Sequence, residues 1–140
     1  MLKMPTVGLE FQTEFRFGSK DVADFAAVTG DTNPIHLDAE FAATTRFKKP
    51  ILHGMLSASI FSKVFGTEYP GSGTVYVGQT LEFRRPMYPD EPYIATFKIA
   101  NCDAVSGVIA IECQVKDSQS KVCLSGTATL MNKGIFENLG

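Results

Sequence analysis

The sequence predicts an α+β fold in which one antiparallel sheet wraps round a single apolar helix, and three observations lead there. The first is Leu52 to Phe65, LHGMLSASIFSKVF, which is apolar on nearly every side with Lys63 its one charge, the pattern of a buried helix. The second is a change of character after Pro70, Gly71, Ser72 and Gly73. From there Thr74 to Arg84, Pro92 to Asn101, Gly107 to Lys116 and Lys121 to Asn132 are long, rich in β-branched or aromatic residues, and separated by turn-like stretches such as MYPDE and DSQS. The third is alternation: Ile109, Ile111, Cys113 and Val115 fall on one face and Ala110, Glu112 and Gln114 on the other, as in a sheet covered on one side. The apolar helix is the natural cover, and the short links between the last three strands make them antiparallel neighbours.

Length and charge narrow the function. A chain of 140 residues, 44% hydrophobic, holds one domain, residues 1–140, with a sizeable core and no linker or repeat. The 13 Lys+Arg against 15 Asp+Glu leave a net charge of −2, so no overall positive field exists to hold nucleic acid or an anionic membrane, and an anionic ligand must be held locally. MLKMPTVGLEFQTEF contains no apolar run of signal-peptide length and no stretch approaches the ~20 apolar residues of a membrane span, so a soluble, cytoplasmic protein is expected. Cys102, Cys113 and Cys123 are odd in number, lie in strand-like stretches and lack CxxC spacing; buried, reduced thiols are expected, neither a disulfide framework nor a zinc site.

Taken in order, Glu10 to Phe17 alternates as a first strand, with Phe11, Phe15 and Phe17 apolar. Ser19 offers an N-cap, Asp21 and Asp24 suit the positive helix end, and Val22, Phe25, Ala26 and Val28 make an apolar stripe up to a C-capping Gly30. Asn33-Pro34 then breaks helical geometry, so Gly30 to Leu37 reads as a loop. Asp38 caps a second short helix over Ala39 to Thr44, Lys48, Lys49 and Pro50 interrupt, and Gly66 ends the long apolar helix.

That loop carries the candidate chemistry. Asp31 and His36 stand five residues apart across a turn, which can bring a carboxylate and an imidazole onto one water molecule. A carboxylate with a neutral imidazole is the expected resting state, given a histidine reference value near ~6.5. Which of the two delivers which proton is open. Asn33 shapes the loop with its side-chain amide, and is a poor proton donor. His53, beside the helix start, reads as a structural capping group; a metal site made of Asp31, His36 and His53 is disfavoured because the sequence supplies no further ligand cluster.

GDTNPIHL, the small residues after Phe41, and KPILHGML (Lys49 to Leu56) together resemble the signature of the MaoC-like (R)-specific enoyl-CoA hydratases, the hydratase 2 family with the hot dog fold. The resemblance runs from DVADFAAVTG through GTVYVGQTLEFRRPMYPDE, roughly residues 19 to 132. It implies a sheet of five or six strands curled round the central helix, and a homodimer with its sheets joined edge to edge and active sites at the interface. It implies reversible addition of water to a trans-2-enoyl-CoA to give the (R)-3-hydroxyacyl-CoA without metal or separate cofactor, coenzyme A being part of the substrate. Such activity can feed polyhydroxyalkanoate synthesis or fatty acid metabolism. By the same resemblance Asp31 and His36 are catalytic and the backbone N–H of Gly54 binds the thioester oxygen, which a helix N-terminus suits. Ser62 and Phe65 are the implied acyl-pocket candidates. Arg84 and Arg85, with Lys48 and Lys49, are candidates to meet coenzyme A phosphates.

Two rivals share the fold. Acyl-CoA thioesterases commonly use a carboxylate on or near the central helix, and Leu52 to Phe65 holds no Asp or Glu. A non-catalytic acyl-CoA binding module has no need of both Asp31 and His36.

Overall fold

A computed structural model describes residues 3–137, so the ends of the single domain expected over 1–140 lie outside the described residues. The elements run β1 (Glu10–Phe15), α1 (Ser19–Thr29), α2 (Pro34–Leu37), α3 (Ala39–Ala43), α4 (Gly54–Thr67), β2 (Val75–Gln79), β3 (Glu82–Phe83), β4 (Tyr93–Asp103), β5 (Val108–Lys116), β6 (Val122–Met131) and α5 (Gly134–Glu137). One antiparallel sheet of six strands has the order β1-β4-β5-β6-β2, with β3 also pairing β6. No described helix is long and apolar enough to cross a membrane.

The inward face of the sheet is the alternating set foreseen: Ile109, Ile111 and Val115 are 0% exposed and Cys113 1%. Against it lie Ile60, Phe61, Val64 and Phe65 of α4, and each such side chain taken out of water contributes ~1.5–3 kcal/mol. The rings of Phe61 and Phe65 meet Phe97 of β4 edge-on, at centroid distances of 5.8 and 5.3 Å. Cys113 and Cys123 are buried and unpaired, and Cys102 is half-buried.

The structure corrects several expectations. The long helix begins at Gly54, with Leu52 and His53 before it, and runs past Gly66 to Thr67. Nor is it buried all round, for Met55 is 60% exposed and Ser59, Ser62, Lys63 and Gly66 continue that open face at helical spacing. Gly18 and not Ser19 is the N-cap of α1, because the Asp21 carboxylate reaches back to accept the Gly18 N–H at 2.8 Å. Val28 is 86% exposed: six residues at ~100° each rotate it away from Val22. The strand expected over Thr74 to Arg84 is broken between β2 and β3. There the Thr80 backbone crosses β6 at Gly126, where any Cβ would collide with the Thr80 carbonyl.

Candidate active site

The segment between α1 and α4 is held by polar contacts placed one at a time. Gly30 ends α1 in the left-handed region, φ 80°, with its N–H on the Ala26 carbonyl at 2.9 Å. The stretch expected to be a loop then contains the one-turn helix α2, since Pro34 occupies its first turn, where its missing N–H costs nothing. Asn33 caps it by accepting the Ile35 N–H at 3.1 Å, and Asp38 caps α3 by accepting from Glu40 and Phe41. The Asp31 carboxylate accepts the Asn33 N–H at 3.3 Å, while the Asp31 N–H donates to the Thr29 hydroxyl at 3.2 Å.

His36, in α2, is tied to the stretch before α4. Its Nδ1 lies 2.7 Å from the Ile51 carbonyl, which only accepts, so Nδ1 carries the proton and Nε2 is left as the acceptor of the neutral ring. The Ile51 N–H returns a bond to the Ile35 carbonyl at 3.2 Å, and the Leu52 N–H donates to Met87 O at 2.8 Å. Burial lowers the His36 pKa below the ordinary value; the Ile51 bond and the Asp31 charge oppose this, and His53 adds to it. His36 is therefore ready to accept a proton at neutral pH.

His53 does not cap α4 with its side chain. It is 2% exposed, packs against His36 at 4.0 Å between ring centroids, and sets Nε2 3.0 Å from the backbone carbonyl of Asp31. One potential ligand atom each of Asp31, His36 and His53 lies within 4.8 Å of the others. In each ring one nitrogen is held on a backbone carbonyl, which leaves Nε2 of His36 and Nδ1 of His53 unspent, the latter buried.

These groups open on a cavity of about 840 Å³. Asp31, His36 and Gly54 line it together with Phe83, Arg84, Arg85 and Met87. The first intrahelical bond of α4 is given by Ser57 to His53 O, so the N–H of Gly54 precedes the helical ladder and has no partner within it. A Cβ at Gly54 would come within 2.8 Å of the Phe83 ring, so the glycine leaves room for that ring. Cys123 also reaches the cavity, but burial pushes its thiol up to about 11, far from a thiolate nucleophile.

Ser62 and Phe65 do not line this cavity: Ser62 is on the open face of α4 and Phe65 is sealed in the core at 1% exposure. Arg84 and Arg85 do line it, and they continue into an adjoining groove of about 740 Å³ with Arg46 and Lys121, which the sequence reading did not single out. Among the described residues no acidic one lines that groove. Arg84 is paired with Glu82 at 2.7 Å and bonded to Ser125. Lys49 pairs with Glu91 and lies over the Tyr88 ring at the groove's edge, and neither Lys49 nor Lys48 lines either space.

Comparison with known proteins gives the family and the fold. Residues 3–120 match the family described as MaoC like domain. An (R)-specific enoyl-CoA hydratase of Aeromonas caviae is 46% identical over 93 residues, 66% of this chain and 69% of that protein. A 3-hydroxybutyryl-CoA dehydratase of Methylorubrum extorquens is 49% identical over 81 residues, covering 58% of this chain and 52% of its own. The solved structure of an (R)-hydratase from A. caviae involved in PHA biosynthesis superposes with a TM-score of 0.87 at 35% identity, over 93% of this chain and 98% of that one.

Proposed function

The chain belongs to the MaoC-like domain family, and from that premise we propose that it is an (R)-specific trans-2-enoyl-CoA hydratase, a hydro-lyase acting by acid-base catalysis. One observation carries the reading: Asp31, His36 and Gly54 all line one cavity, while Nδ1 of the His36 ring is fixed on a backbone carbonyl and Nε2 is left as its acceptor.

In this mechanism the thioester oxygen sits at the Gly54 N–H, where the amide and the positive end of the α4 dipole stabilise it as it becomes enolate-like. A water held between Asp31 and His36 adds to C3. One of the pair takes its proton, the pair returns a proton to C2, and no net proton is gained or lost. The reverse is dehydration. Coenzyme A enters as part of the substrate; Arg85, Arg46 and Lys121 supply the positive charge that its phosphates need in an otherwise acidic protein. The reaction as proposed needs no metal.

We further propose a homodimer. β2 is a sheet edge, and it exposes Val75 and Val77 at 57% each and Tyr76 at 39%, apolar surface that an isolated edge strand does not keep in water. A second copy joined along it would cover that surface. Three unpaired cysteines suit a reducing compartment, the cytoplasm.

The test is loss of enoyl-thioester absorbance on crotonyl-CoA, with the product coupled to an (R)-specific and an (S)-specific dehydrogenase. Hydration to the (R) product alone supports the reading. Release of free thiol without hydration overturns it in favour of a thioesterase, and light scattering after size exclusion decides the dimer.

A further inference from the structure

The hydratase reading gives work to Asp31, His36 and the Gly54 amide, and leaves two buried polar side chains of the site, Ser57 and His53, without a role; among the described residues it is His53 that strands a buried polar atom. His53 is 2% exposed, its ring packs on His36 at 4.0 Å and on Phe25 at 4.8 Å, and its Nδ1 is buried with no hydrogen-bond partner among the described residues. An imidazole in that position is a poor choice for packing alone, since a phenyl ring would fill similar space without stranding a polar atom. Its one polar contact is Nε2–H to the carbonyl of Asp31, at 3.0 Å across 22 residues of sequence.

That bond joins the two halves of the chemistry. At one end is the backbone of Asp31, whose N–H is already held by Thr29. At the other is the residue immediately before Gly54, so the peptide that carries the Gly54 N–H begins at His53 itself. We propose that His53 is a positioning residue: its Nε2–H, anchored on the Asp31 carbonyl, sets the distance between the acid-base pair and the amide that receives the thioester oxygen. The proposal rests on the hydratase reading. It gives His53 no proton to transfer. Its effect is on whether water and carbonyl are held at reacting distance from each other, where an error of ~1 Å costs about a hundredfold in rate.

The experiment uses three variants of the full chain with crotonyl-CoA, measuring kcat, KM and Tm. His53→Phe keeps a ring and loses the donor, His53→Gln carries an amide N–H at about the reach of Nε2, and His53→Asn carries one too short to reach. The expected result for His53→Phe is a fall in kcat of ~10–100-fold with KM within about twofold and Tm equal to or above wild type. His53→Gln is expected to recover to within about threefold of wild type, and His53→Asn to fall with Phe.

A structural role alone predicts the opposite coupling, with activity following stability. Wild-type kcat in a folded His53→Phe overturns the proposal, as does a His53→Gln protein no better than His53→Asn. The Gln and Asn pair decides the matter even if the Phe variant does not fold. Absence of hydration by the wild-type protein would instead remove the hydratase reading itself, so the two failures are told apart in one assay.

Discussion

The sheet with the inner face of α4 and the segment from Gly30 to Leu52 are built on different principles. In the first, residues such as Ile99, Ile111, Leu124 and Leu130 are 0% exposed and the structure is held by area, which tolerates the loss of any single contact in kind if not in magnitude. In the second, Ala42 and Leu52 are the buried apolar residues, and the chain is positioned by single bonds from Asn33, Asp38 and His36, with His53 answering from outside it. The lesson is that stability and reacting geometry are separable here. A substitution in the sheet should change how much protein is folded, and one in the segment should change what the folded protein does.

The sharpest test of that separation is Asp31→Asn. It should lower kcat about a thousandfold, ~4 kcal/mol in the barrier, with Tm nearly unchanged, measured on crotonyl-CoA and by calorimetry. Ile111→Ala should do the reverse: a buried cavity costs ~2–5 kcal/mol of unfolding free energy in urea, while kcat per folded molecule stays at the wild-type value. A folded Ile111→Ala protein with a large loss of kcat would break the comparison.

Asn33→Ala lies between them. Losing the cap of α2 should cost ~1 kcal/mol of stability and several-fold in kcat, because His36 stands on the helix that Asn33 starts. A smaller effect is expected from pH. The folded His36 pKa is lowered, so the native state binds fewer protons than the unfolded one as pH falls through the ordinary value of 6.5. Its contribution to stability is complete above 6.5 and is lost below it, as pH falls through the folded value. The acid limb of kcat/KM should likewise lie below 6.5, and His36→Gln should flatten the stability change. At the bottom of the scale, Lys20→Ala breaks an exposed i,i+4 pair with Asp24 and should leave both Tm and kcat unmoved.

Much of this was legible before any coordinates. Asp31, His36 and Gly54 fall within 24 residues of one another in sequence, and turn chemistry at Gly30, Asn33 and Asp38 speaks locally. The antiparallel adjacency of β4, β5 and β6 followed from their short links, whereas the pairing of β1 with β4 and of β2 and β3 with β6 did not. What escaped depends on distant partners. The bond of His53 reaches a backbone carbonyl 22 residues away, and no side-chain pattern records it. Arg46 and Lys121 line one groove only because the stretch after α3 and the β5–β6 turn are brought together. Ser62 points to solvent since α4 keeps one open face, and a helix apolar by composition does not say which side the sheet takes.

The lining of the cavity comes from separate lengths of chain. Residues 25–57 bring Asp31, His36 and the Gly54 N–H, whereas Phe83, Pro86, Met87 and Cys123 supply more of the lining from later in the chain, with the Phe83 ring close to Gly54 and the Leu52 N–H on Met87 O. Reactivity and substrate shape are thus inherited on different stretches. Under the hydratase reading, a substitution at Met87 or Cys123 reshapes the cavity while Asp31 and His36 stay in place, so the space offered to a substrate can change without removal of the acid-base pair.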